Sequence, residues 1–168
     1  MDTISEKNYI TEKKIFTDML MSARMHEISY SETFGLAFYK YINTGDRDNY
    51  QWAIRKMNLI IDAPFWVFEK TKWEEMCRNN CDMIGMDDRE LAGELVNIRY
   101  NNLIQVSKVD FFEKYVCITL EEKKVLVIAY LADSDYSWIL EECSDNNIAD
   151  RMQVFCQGNE IVARNISD

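Results

Sequence analysis

The residue types that most often perform catalysis are sparse in this chain. The single histidine, His26, is followed directly by Glu27. A histidine and a carboxylate that are neighbours in sequence are weak evidence for acid–base chemistry, because catalytic partners meet in space. We expect His26 at the end of the first helix, where the helix dipole favours a histidine.

Five cysteines are the next candidates, as metal ligands or as nucleophiles. Cys77 and Cys81 are four residues apart, so a helix would place both thiols on one face. Structural zinc usually takes four ligands in two close pairs, whereas Cys117, Cys143 and Cys156 are isolated. We expect these thiols to be packing residues. An odd number of cysteines and an N-terminus without an apolar signal core predict free thiols and a cytoplasmic location.

Two groups of carboxylates resemble parts of metal sites. Asp133 and Asp135 lack the loop length, the glycine and the bidentate glutamate of a calcium loop. Asp110, followed by Glu121 and Lys123, loosely resembles the D…ExK pattern of metal-dependent nucleases, but Glu121 falls in a predicted hairpin turn. There is also no phosphate-binding loop, dinucleotide fingerprint or nucleophile elbow. We predict no catalytic residue, no metal site and no cofactor; the alternative is an enzyme with an unrecognised carboxylate or thiol site.

The most acidic stretch is "ADSDYSWILEECSDNNIAD", residues 132–150. No basic residue occurs between Val125 and Asp150, and residues 85–168 carry a net charge of −8 out of the total of −10. Aromatic side chains supply contact area and carboxylates complement lysines and arginines, so the stretch suits a docking surface for a basic partner. The alternative is a solvated edge whose aromatic residues point into the core. The predicted partner-binding residues are Asp133, Asp135, Tyr136, Trp138, Glu141, Glu142 and Asp145.

Helical spacing of apolar residues and capping-box patterns predict about five helices in residues 1–100. Gly45 is expected to end the second helix and Pro64 to block the third. "FWVF" is compatible with a short strand or a buried helical turn. The predicted helices begin near Thr11, Ser29, either Asp46 or Asp48, Thr71 and Asp87.

After residue 100 the apolar pattern alternates and predicts about five strands. Gly158–Asn159 has the composition of a two-residue hairpin turn. The predicted fold is therefore α+β, with a mainly helical part in residues 1–100 packed on a mostly antiparallel sheet in residues 101–168, in one domain. "VLVIAYL" is apolar on both faces and predicts a central strand covered on both sides. The predicted strands are "YVCITL", "VLVIAYL", "YSWILEEC", "MQVFC" and "IVARNI". The alternation in "YSWILEEC" is imperfect, so a helix is the alternative for this segment.

Length, composition and charge limit the class of function. The 168 residues, 48% apolar and 29% charged, are typical of one globular domain. A net charge of −10 opposes direct binding to nucleic acid and to anionic membrane surfaces. The longest apolar run is too short to cross a bilayer. A basic protein is the partner that this charge favours.

In size, acidity and lack of a catalytic motif the chain resembles bacterial immunity proteins. These proteins neutralise toxin domains, often nucleases, that neighbouring cells deliver, as in contact-dependent growth inhibition. The resemblance implies a non-catalytic inhibitor of a cognate toxin or nuclease domain, and no motif carries residue roles over. Phage-type inhibitors of defence nucleases share the profile, and a regulatory subunit of a larger assembly is a further alternative.

Overall fold

The structure is a computed structural model that describes residues 9–79, 86–131, 135–143 and 151–166. Within these ranges the chain forms three helices and ten strands, and no helix is long and apolar enough to span a membrane. The helices are α1 (Ile10–Leu20), α2 (Lys70–Arg78) and α3 (Asp88–Tyr100). The strands are β1 (Arg24–Tyr30), β2 (Phe34–Asn43), β3 (Trp52–Ile61), β4 (Phe65–Glu69), β5 (Val106–Phe111), β6 (Tyr115–Leu120), β7 (Lys124–Ala129), β8 (Trp138–Glu142), β9 (Met152–Gln157) and β10 (Glu160–Asn165).

The strands form two antiparallel sheets that share one core. One sheet has the order β1-β2-β3-β8-β9-β10 and the other has the order β4-β7-β6-β5. The chain crosses from the six-stranded to the four-stranded sheet between β3 and β4 and returns between β7 and β8. The main cluster of buried side chains takes residues from both sheets, from α1 and from α3. Each sheet thus buries one face against the other sheet and the two helices.

The prediction of about five helices in the first 100 residues is wrong, because the second and third predicted helices are strands β2 and β3. Their inward side chains alternate, as in a sheet with one buried face. Ala37, Tyr41 and Ile54 on the opposite face completed a helical pattern by coincidence. Strands β1 and β5 were not predicted, and "FWVF" belongs to strand β4. The inward pairs are Phe34 with Ile61, Leu36 with Leu59 and Phe38 with Met57.

The structure contains the other predicted elements close to their expected positions. Helix α3 begins after Asp87, whose side chain accepts a hydrogen bond from the backbone N–H of Glu90 at 2.8 Å. All five strands predicted after residue 100 are present as β6 to β10. The prediction that they form one sheet is wrong, because β6 and β7 belong to the four-stranded sheet and β8 to β10 belong to the six-stranded sheet. Gly158 has a φ of 58° in the turn between β9 and β10, which is the left-handed conformation that favours glycine.

Strand β7 is covered on both faces, as its sequence predicted. It lies between β4 and β6. Leu126 and Ile128 face the main core, whereas Val125 and Val127 belong to a second buried cluster on the other side of the sheet. Trp73 from α2 packs against that second cluster. Helix α2 therefore shields the face of the four-stranded sheet that points away from the main core.

An ion pair lies on the inner face of the six-stranded sheet. The guanidinium Nε of Arg55 donates to Glu142 at 2.5 Å, and the side chain of Glu142 is fully buried. Nearby, the Lys40 ammonium donates to the carbonyl oxygens of Asp18 and Met21 at the end of α1. Burial, together with repulsion from Arg55, lowers the pKa of Lys40. Glu142 thus compensates cationic groups that are partly removed from water.

Glu141 and Glu142 provide a matched test of the register of β8. Glu142→Gln should lower the free energy of unfolding by about 2 to 3 kcal/mol, because it leaves Arg55 without its buried counter-charge. Glu141→Gln, on the outer face of the same strand, should change it by less than about 0.5 kcal/mol. Urea unfolding of both variants measures the difference. Equal effects, or a larger effect at Glu141, would show that the register is wrong.

Candidate partner-binding site

Two of the predicted partner-binding residues are buried in the core. Strand β8 alternates, so Trp138 and Glu142 point inward. The ring of Trp138 packs against Phe16, with 4.7 Å between ring centroids, and Glu142 pairs with Arg55. Neither side chain is on the surface, so the expectation that both contact a partner is corrected.

Three other predicted residues lie at or near the surface. Asp135 and Tyr136 precede β8 and are exposed, and Glu141 is half-buried on the outer face of β8. The Tyr136 ring meets the ring of Phe155 edge-on, with a centroid separation of 5.4 Å, and keeps 40% of its area exposed. The remaining two predicted residues, Asp133 and Asp145, lie outside the described residues.

Backbone hydrogen bonds fix Asp135 and Tyr136 beside the end of β3. The carbonyl of Ser137 accepts from the N–H of Asp62 at 2.9 Å, and the N–H of Ser137 donates to the carbonyl of Cys156 at 2.9 Å. These bonds continue the β3–β8 and β8–β9 ladders by one residue. The described part of the acidic stretch therefore lies where β3 leaves the six-stranded sheet.

A cavity of about 300 Å³ opens at the same end of the molecule. Its walls come from the ends of both sheets and from the beginning of α3. Three carboxylates line it, each from a different segment: Glu32 from the β1–β2 turn, Asp62 from the β3–β4 crossover, and Asp88 from α3. The apolar lining residues are Phe34, Ile61, Ala63, Pro64, Phe65, Trp66, Met86 and Leu91, with Tyr30 and Thr33 completing the wall.

Local chemistry explains why these segments meet. Pro64 has no N–H to donate and cannot continue the ladder of β3. Its carbonyl instead accepts from the N–H of Ala129 at 3.0 Å, which joins the crossover to the four-stranded sheet. On the opposite wall, the Tyr30 hydroxyl donates to Asp88 Oδ2 at 2.6 Å, and this bond raises the pKa of Tyr30.

The charged side chains that line this cavity are all acidic. Within the described ranges, the side chains of Glu32 and Asp62 make no hydrogen bond or ion pair, and no lysine, arginine or histidine lines the cavity. Among the described residues, no cluster of three histidine, cysteine or carboxylate side chains is close enough to hold a metal ion. We name Glu32, Asp62, Asp88 and Asp135 the acidic end.

Sequence reasoning missed the three cavity carboxylates because they are scattered over 57 positions of the chain. The capping-box spacing of Ser29 and Glu32 contributes to the predicted second helix, but Glu32 lies in the turn between β1 and β2. Asp62 gave one usable signal, because it lies two residues before the only proline. A proline after an alternating apolar run indicates that the strand ends there.

A second surface with exposed aromatic residues lies at the opposite end of β2 and β3. Here β2 and β3 pair with each other, from Tyr41–Ile54 to Asn43–Trp52. Among the described residues, this part of the two strands lies beyond the last residues that pair with the neighbouring strands β1 and β8. We name residues 41–54 the arm. Tyr41 is 62% exposed and Trp52 is 68% exposed, and Tyr50 and Ile54 are exposed beside them. Exposed aromatic residues of this kind are common in protein interfaces.

The structure does not assemble the other candidate sites. His26 lies in β1, not at the end of a helix, and its ring meets that of Tyr39 at 5.3 Å. Asp110 is opposite Cys117 in the β5–β6 ladder, whereas Glu121 follows the far end of β6 and accepts from the N–H of Gln105. Asp110 and Glu121 therefore lie at opposite ends of the hairpin and form no common site.

The cysteines of the described chain are free thiols. Burial raises the pKa of Cys117 to about 12 and that of Cys156 to about 11. Burial also raises the pKa of the more exposed Cys77 and Cys143. Since the thiolate is the nucleophile, these environments lower the reactivity of all four. Cys81 lies outside the described residues.

The chain matches no protein-family model, and neither curated proteins nor solved structures gave a significant match. Its function can therefore be inferred only from its own residues.

The buried thiols predict how stability depends on pH. The folded chain keeps Cys117 and Cys156 protonated above their ordinary pKa of 9.0, whereas the unfolded chain loses these protons. Stability should therefore be full below about pH 9 and fall above it. At about 1.4 kcal/mol per unit of pKa, the two thiols together should lower the free energy of unfolding by about 3 kcal/mol by about pH 10.

Urea unfolding between about pH 8.5 and about pH 10 tests this expectation, with a Cys117→Ala/Cys156→Ala variant as the control. The wild-type chain should lose more stability over this range than the variant does. The comparison uses the slope with pH, so any cavity left by alanine does not affect it. Identical slopes would contradict the assignment of raised pKa values to these thiols.

Proposed function

We propose that this chain is a non-catalytic binding protein that neutralises a basic partner protein through its acidic end. The observation that carries the proposal is the convergence of Glu32, Asp62 and Asp88 on one cavity, from three separate segments. The immunity proteins that the sequence resembles neutralise toxin domains, often nucleases, so the proposed partner is a cognate toxin domain such as a nuclease. The proposed place of action is the cytoplasm, where free thiols remain reduced.

Charge supports a basic partner. Three carboxylates line the cavity and no lysine or arginine among the described residues lines it, so its potential favours a lysine- or arginine-rich surface. The same field would raise the rate of association. A nuclease holds its substrate phosphates in a basic groove, and carboxylates at the acidic end would compete for that groove. An inhibitor of a defence nuclease would use the same surface, so the two alternatives differ only in the partner.

Aromatic side chains support a protein as the partner. Tyr30 is 54% exposed at the rim of the cavity, and Tyr136 is exposed on the neighbouring loop. Tyrosines at the centre of an interface contribute much of its binding energy, and surrounding charges contribute specificity. Exposed aromatic rings therefore lie beside the carboxylates of the acidic end, which is the combination that the sequence predicted for residues 132–150. Most of these residues, however, come from other parts of the chain.

The acidic end is held in place before binding. The turn that carries Glu32 is closed by a hydrogen bond from Ser31 N–H to the Thr33 carbonyl at 3.3 Å. Asp62 is tied to Ser137 through its backbone, and the N-terminus of α3 is capped by Asp87. A surface that is already ordered loses less conformational entropy on association.

Charge reversal tests the docking surface. The partner is first obtained by pull-down with the wild-type chain from the native host. Glu32→Lys/Asp62→Lys should then slow association by on the order of tenfold or more at low salt and flatten its salt dependence. The control, Glu74→Lys/Glu75→Lys, changes the net charge equally at exposed positions on α2, away from both the acidic end and the arm. Similar kinetics for both variants would reject the acidic end as the docking surface.

The arm favours the second candidate function, a subunit of a larger assembly that docks through aromatic residues. Tyr41→Ser/Trp52→Ser removes two exposed rings and leaves every carboxylate in place. If the acidic end is the site, this variant should bind the captured partner with unchanged affinity in a titration calorimeter. A loss of more than about tenfold, with unchanged thermal stability, would assign the interface to the arm.

A further inference from the structure

We infer that the cavity at the acidic end receives one arginine side chain of the partner. This inference rests on the proposed function and specifies the group that the site recognises. The three carboxylates line a cavity that is otherwise mostly apolar. A long side chain with an apolar stem and a charged head matches both features, since its stem packs on apolar surface while its head meets carboxylates.

The walls of the cavity are suited to a flat cation. The exposed Tyr30 ring lies 4.6 Å from the Phe34 ring, which in turn meets the Phe65 ring edge-on at 5.2 Å, so Tyr30 is the ring that offers a face to the cavity. Trp66 adds to the lining. Aromatic faces attract cations, and a guanidinium can also stack on them. Phe34, Phe65 and Trp66 are almost fully buried, which fixes their positions.

The carboxylates select arginine over lysine by geometry. A guanidinium presents five N–H donors in a planar fork and can bond to two carboxylates at once. Glu32 and Asp62 make no side-chain hydrogen bond within the described ranges, and they approach the cavity from two different turns. Asp88 is held by Tyr30 through one oxygen. Lysine concentrates its charge in a strongly hydrated ammonium, which loses more on leaving water for an aromatic wall.

The size of the cavity agrees with a single side chain. At about 300 Å³ it lies at the lower end of the range of small-ligand pockets. It lies where the two sheets separate, so its floor is the main core, to which Phe34, Ile61 and Leu91 belong. An inserted side chain would thus be shielded from water on several sides, which strengthens its interaction with the rim carboxylates.

The experiment uses N-acetyl-argininamide as the probe and the full chain with labelled methyl groups. Titration should shift the methyl resonances of Ala63, Met86 and Leu91 in a saturable manner, with a dissociation constant in the millimolar range, as expected for so small a ligand. N-acetyl-citrullinamide, which has nearly the same shape but no charge, should bind at least about tenfold more weakly. N-acetyl-lysinamide should also bind more weakly than the arginine probe.

Three results would overturn the inference: no saturable shift with the arginine probe, equal affinity for the citrulline probe, or equal or tighter affinity for the lysine probe. A matched pair of variants tests the carboxylates. Glu32→Gln/Asp62→Asn should weaken binding of the arginine probe on the order of tenfold, whereas Asp48→Asn/Glu75→Gln should leave it unchanged. The same spectra show whether each variant is folded. Equal binding by both variants would contradict the role of the rim carboxylates.

Failure of this inference can be distinguished from failure of the proposed function. If charge reversal at Glu32 and Asp62 weakens partner binding but the arginine probe does not bind, the acidic end is a docking surface without an arginine-binding cavity. If the probe binds in the cavity but the charge-reversed variant still binds the captured partner normally, the cavity recognises a guanidinium and the proposed docking surface is wrong.

Discussion

The arrangement of the surface depends on one constraint: two antiparallel sheets bury their apolar faces in a single core. The chain must therefore cross between the sheets, and it does so at residues 62–64, between β3 and β4. A crossing segment cannot pair with both sheets at once, so polar and irregular residues collect there. Asp62 is exposed, Pro64 ends the ladder, and the cavity opens beside them. The acidic end thus exists because the fold must leave its first sheet at this point.

The two-residue period of β8 divides the acidic stretch between two roles. Trp138, Leu140 and Glu142 point inward, and Glu142 neutralises Arg55 at the edge of the core. Ile139 and Glu141 face outward, and Asp135 and Tyr136 continue the chain to the acidic end. One carboxylate of this stretch therefore neutralises a partly buried cation, whereas others lie on the surface. A single acidic face made of consecutive residues is not compatible with a strand.

The sequence predicted the individual strands of the second half but not their division between two sheets, and it predicted the first half poorly. β6 and β7 have continuous apolar runs with turn residues at their ends, which leave few alternatives. In β2 and β3 the outer face also has large apolar residues, such as Tyr41 and Ile54, so helical and alternating patterns fit equally. Of the candidate site, only the residues adjacent in sequence to β8 could be predicted. The carboxylates of the cavity come from a turn, a crossover and the start of α3, and only the tertiary fold brings them to one cavity.

Hydrogen exchange on the complex with the partner captured from the native host tests the central claim most directly. Backbone amides report the footprint of the interface without any substitution. If the acidic end is the docking surface, amide exchange should slow in the β1–β2 turn, around Asp62, at the start of α3, and at Asp135 and Tyr136. Exchange in the arm should remain unchanged. Protection confined to the arm, with no change at these four places, would contradict it.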